Sequence, residues 1–183
     1  MIDINHKHSD FDTSFFSSKI TLIYAPTTNK HQEQMMSLLQ ESESNAYYGI
    51  LGRENNMIPF LSIQDNLLLG ISKKDKQWFI SELSRLLFQF KLQGLDLETT
   101  AMTLSKNEQL VLQMLRAIVL KQTIFIIDPI DSSEKTSQFL FNLMPILKRV
   151  AQLQEASLII SSHSSLVAES PYYDHCLLIN NII

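Results

Sequence analysis

The chain has 183 residues, 45% of them apolar and 19% charged, with a formal net charge of −4. This suffices for one domain with a sizeable buried core and is too apolar for a disordered chain. The mild acidity and the scatter of its Lys and Arg exclude an electrostatic nucleic-acid footprint, and a single cysteine, Cys176, excludes an internal disulfide and fits a reducing compartment.

In chain order, residues 2–5 and 11–16 read as short antiparallel strands. No basic stretch followed by an apolar segment precedes them, which speaks against a secretory leader. Ile20–Tyr24 is a β-branched apolar run and reads as the first strong strand. Residues 32–40 follow as a helix and 47–51 as a second strand. The stretch 56–103 contains helical patterns and no strong strand, so it reads as a helical insertion. Within it, residues 76–90 form a helix, with Phe79, Leu83, Leu86, Leu87 and Phe90 on one stripe that must be buried. Further helices are expected at 107–120 and 133–153, and further strands at 123–128, 157–161 and 176–180. The strands are apolar throughout rather than alternating, which marks a sheet covered on both faces. Strands alternating with helices imply a parallel α/β sheet. No apolar run approaches the roughly 20 residues that cross a bilayer.

Three segments carry candidate chemistry. The first is the turn after Tyr24, Ala25-Pro26-Thr27-Thr28-Asn29-Lys30-His31-Gln32. A phosphate-cradling loop at this position needs glycines, so that successive N–H groups can converge, and a Lys followed by Ser or Thr. There is no glycine here, and Lys30 is followed by His31. The plain reading is a strand-to-helix turn capped by Asn29 or Thr28. The second segment is Leu104-Ser105-Lys106-Asn107-Glu108-Gln109, which reads as a capping box between Ser105 and Glu108. A helix start with a free serine hydroxyl would also attract an anion. The third is the pair of strand ends at Asp128 and at Ser161-Ser162-His163. An apolar strand ending in an acid suits a magnesium ligand, but the next residue is Pro129, which can neither ligate nor take a proton. A lone His at a strand end is more often structural than catalytic. His6 and His8 have no third ligand nearby and make a poor metal site.

Taken in order, these segments resemble the ATP-binding cassette (ABC) family, the nucleotide-binding subunits of ABC transporters, over nearly the whole chain. Ile20 to Ala25 and the Met35-Met36-Ser37-Leu38-Leu39 helix are similar to the family's first strand and phosphate-loop helix. Leu51-Gly52-Arg53-Glu54-Asn55-Asn56-Met57-Ile58-Pro59 is similar to the Q-loop region. Leu61-Ser62-Ile63-Gln64-Asp65-Asn66-Leu67-Leu68-Leu69-Gly70 is similar to the T-V-x-E-N-L segment that opens the helical subdomain. Leu104 to Val119 resembles the signature segment, with Arg116-Ala117-Ile118 matching its end. Asp128 falls at the Walker B acid, His163 at the switch histidine, and Asp174 at an acid that commonly follows it. The departures fall on the chemistry. The phosphate loop lacks its G-x-G-K-[ST] core, Arg53 stands for the Q-loop glutamine, and Lys106 and Asn107 for the signature glycines. Pro129 stands for the catalytic glutamate, Ile130 for the proline after it, and Lys135 for the D-loop aspartate.

The resemblance implies a P-loop NTPase-like fold: a mainly parallel sheet flanked by helices, a helical subdomain at 56–103 inserted in a single domain spanning 1–183, and a reduced N-terminal antiparallel β part. It implies vestigial catalytic positions at Asp128 and His163, with Asp128 as the magnesium ligand. It implies nucleotide contacts at Lys30, Arg53, Ser105 and Gln109, and ATP and Mg held, if at all, in a composite site shared with a partner. The expected function is that of a non-catalytic or weakly active subunit. Its partners would be an intact ABC ATPase and a transmembrane permease, in the cytoplasm and peripheral to the membrane, with no nucleic acid and no direct membrane insertion. Two other readings stand beside it: an atypical but active transporter ATPase, and a soluble interaction module that reuses the fold.

Overall fold

The computed structural model describes residues 18–24, 48–52, 57–128 and 133–178. Its strands are β1 (Ile20–Tyr24), β2 (Tyr48–Leu51), β3 (Ile124–Ile127), β4 (Ser157–Ser162) and β5 (His175–Leu178). Its helices are α1 (Ile63–Leu68), α2 (Lys73–Gln89), α3 (Lys106–Val119), α4 (Glu134–Gln154) and α5 (Ser165–Ala168), with a 3₁₀ turn at Ala101–Thr103. The expected strands at 2–5 and 11–16, the helix at 32–40 and the last two residues of the strand at 176–180 lie outside the described residues.

The five strands form one sheet in the order β2-β3-β4-β1-β5, and every pairing is parallel. Parallel neighbours require crossovers, which the helices between the strands provide. The continuous apolarity of the strands follows from the pleat. Leu22, Phe125, Ile127, Leu158 and Ile160 join the main core with the helices, while Ile23, Ile126 and Ile159 form a separate buried cluster. Successive residues face opposite sides, and both sides are closed to water.

The main core reaches into the segment between β2 and α3. Phe79, Leu83, Leu86, Leu87 and Phe90 are all buried, as their spacing on α2 demands. Each such side chain contributes roughly 1.5–3 kcal/mol by leaving water. Among the described residues this segment holds α1, α2 and the 3₁₀ turn, and its only extended pairing is an antiparallel bridge of Ser62 with Thr100. Ser62 and Ser72 cap α1 and α2 by accepting from the N–H groups of Asp65 and Asp75.

Asn66, buried inside α1, ties this segment together. Its Oδ1 accepts from the Ile58 N–H at 2.7 Å, and its Nδ2 donates to the carbonyls of Ile58 at 2.9 Å and Ser62 at 3.0 Å. A buried amide is tolerated here because both ends are satisfied. Asn66→Ala strands the Ile58 N–H and is expected to cost about 2–3 kcal/mol in urea unfolding; a loss below about 0.5 kcal/mol would show that the network carries no stability.

A second tie joins β1, α4 and the entry to β5. The Ile20 N–H donates to Asp174 Oδ2 at 2.8 Å, the Asp174 N–H donates to the Ile20 carbonyl at 2.8 Å, and Lys148 on α4 pairs with Asp174 Oδ1. Burial pushes the Asp174 carboxyl up, but the Lys148 ammonium, the Ile20 N–H and the His175 ring together hold it below its ordinary 3.8. A carboxylate with a depressed folded-state pKa stabilises the fold fully above its unfolded value, and the contribution is lost as pH falls through the folded value. Asp174→Asn is therefore expected to cost about 1 kcal/mol at neutral pH. In urea titrations the gap from wild type closes below the ordinary 3.8; a gap that persists there would contradict the assignment.

Candidate functional site

Because the strands are parallel, their carboxyl ends share one edge, the place where open α/β sheets bind ligands. The register places β1 and β4 ends together, with Tyr24 opposite Ser162, and β3 beside β4, with Ile127 opposite Ile160. Asp128, the residue after β3, is thus level with Ser161. His163 follows the end of β4. Strand β4 lies between the Asp128 strand and β1, which leads into the glycine-free turn. The Asp128 N–H donates to the Leu51 carbonyl at 3.1 Å, so the β2–β3 ladder holds the acid's backbone one residue beyond the strand. Both Asp128 and His163 are half-buried. Lys30, Arg53 and Pro129 lie outside the described residues.

Asp128 and His163 therefore come to one edge, as their order along the chain implied. Ser105 and Gln109 do not join them. Gln113 on α3 accepts from the Gly52 N–H at 2.7 Å, beside the end of β2, and Gln122 lies against Gly49 within the same strand. Helix α3 thus runs back along the sheet with its N-terminus beyond the carboxyl edge. Ser105 precedes Gln113 by eight positions, about 12 Å of helix. The helix start thus lies beyond the level of the β2 end.

That helix start is also chemically closed. Ser105 Oγ accepts from the Glu108 N–H at 3.3 Å and donates to Glu108 Oε2 at 2.6 Å, while the Ser105 N–H donates to the same oxygen at 2.8 Å. The capping box is complete, so the expected free hydroxyl is not free. The Glu108 carboxylate already supplies the negative charge that the helix N-terminus favours. Gln109 Nε2 is committed as well, donating to the Leu104 carbonyl at 3.2 Å.

Three polar groups to which the motif reading gave no role shape the surroundings. Gln113 holds Gly52, whose φ of +87° suits glycine. Asn66 anchors α1. Arg116 Nη2 donates to the Leu69 carbonyl at 3.0 Å, at the end of α1. The signal was present: Gln109, Gln113 and Arg116 recur at helical spacing and interrupt the apolar run from Leu110 to Val119.

As to cofactors, no group of three or more His, Cys, Asp or Glu that could hold a metal ion occurs among the described residues. Magnesium in phosphate sites needs only one or two carboxylates, with waters and phosphate oxygens completing the shell. A single half-buried Asp128 at the strand edge fits that requirement; the Ser105 helix start, occupied by its own carboxylate, does not fit a phosphate as it stands.

No protein-family model and no curated protein matches the sequence. Solved structures do match in fold. An ATP-binding subunit of an ABC transporter superposes with a TM-score of 0.62 at 16% identity, covering 91% of this chain and 76% of that one. An inward-facing transporter described as an ABC transporter of metal-chelate type gives a TM-score of 0.69 at 16% identity, covering 90% and 70%. A dimeric ATP-binding cassette in a post-hydrolysis state with ADP and Pi bound gives 0.65 at 14% identity, covering 90% and 82%. The chain has the α/β fold of ABC ATP-binding subunits, a parallel sheet flanked by helices. No helix among the described residues is long and apolar enough to cross a membrane.

The capping box generates its own test. Glu108→Ala removes the reciprocal bond and is expected to lower stability by about 0.5–1 kcal/mol, while Glu108→Gln keeps most of it. Equal losses in thermal or urea unfolding would show that charge, not hydrogen bonding, carries the cap.

Proposed function

We propose that this chain is a degenerate ATP-binding-type subunit of an ABC transporter that turns over little or no ATP by itself and works beside an intact ATPase subunit and a membrane permease. The observation that carries the proposal is a conserved architecture with depleted chemistry. The strand edge retains Asp128 and His163, yet the turn after Tyr24 has no glycine and Asp128 is followed by Pro129. Phosphoryl transfer depends on positioning and on electrostatic stabilisation of the transferred group. Without a glycine nest, successive N–H groups cannot converge on phosphate. Without a carboxylate after Asp128, general-base assistance of about 10²–10⁴-fold is lost.

In this reading Asp128 is the residual magnesium ligand and His163 a vestige of the phosphate-sensing position. Lys30 and Arg53 are the remaining cationic and polar contacts near a nucleotide. Ser105 and Gln109 belong to the opposite half of a composite site: a helix start beyond the level of the β2 end is suited to a nucleotide held by a partner. Glu108 must turn from Ser105 before that contact forms. The helices at 56–103 form the subdomain that meets the permease, and the subunit sits in the cytoplasm, attached to the membrane through that partner.

Purified, monodisperse protein is expected to bind MgATP more weakly than millimolar by calorimetry and to show no steady phosphate release. Tight binding with sustained turnover would overturn the proposal. In a complex purified with its ATPase partner, Ser105→Ala is expected to lower turnover; an unchanged rate would remove Ser105 from the composite site.

A further inference from the structure

We draw no further inference here: the strongest candidate, the exposed and uncharged face of α2 that carries Gln77, Ile80, Ser81, Ser84 and Phe88, is an unpartnered helix face, and nothing among the described residues shows what covers it.

Discussion

Parallel pairing is the constraint from which the rest follows. Each strand runs the same way as its neighbours, so Tyr24, Leu51, Ile127 and Ser162 all end at one edge. Residues far apart in the chain, Asp128 and His163, are delivered there by the main-chain hydrogen bonds of the sheet. The same constraint forces helical crossovers, and these bury the first face of the sheet against α3 and α4.

Helix α3 connects the two regions of interest. Its N-terminus carries the capping box of Ser105 and Glu108, its middle holds the end of β2 through Gln113, and its last turns carry Arg116. The N-terminal dipole of this helix is satisfied internally by a carboxylate. Its middle and last turns line a small cavity together with β2 and α1. The Glu108 carboxylate thus already occupies the helix start at Ser105, where a motif comparison suggests a free hydroxyl.

Much of the fold was legible in the sequence because its signals are local and strong. The run at Ile20–Tyr24 and the Leu158-Ile159-Ile160 centre of the strand expected at 157–161 are apolar enough to mark buried strands. The α2 stripe from Phe79 to Phe90 has a single consistent periodicity, and Ser105 with Glu108 forms a box because three residues separate them on any helix. The short helix α1 was not resolved from its surroundings. At six residues, its identity depends on Ser62 as cap and on the Asn66 network, and the partners of that network lie at Ile58 and in the preceding loop.

What the sequence determined by itself was the class of the fold, the positions of the described strands, and the absence of glycine from the turn after Tyr24 and of a carboxylate directly after Asp128. These are properties of residue type and spacing, and no folding is required to read them. Only the tertiary structure decided that the Ser105 hydroxyl is engaged, that α3 carries it about 12 Å past the level of Gly52, that Asp174 joins β1 to α4, and that Arg116 reaches the Leu69 carbonyl. Each of those depends on which groups meet across elements, and a hydrogen bond is formed or forgone according to distances that no single stretch of chain sets.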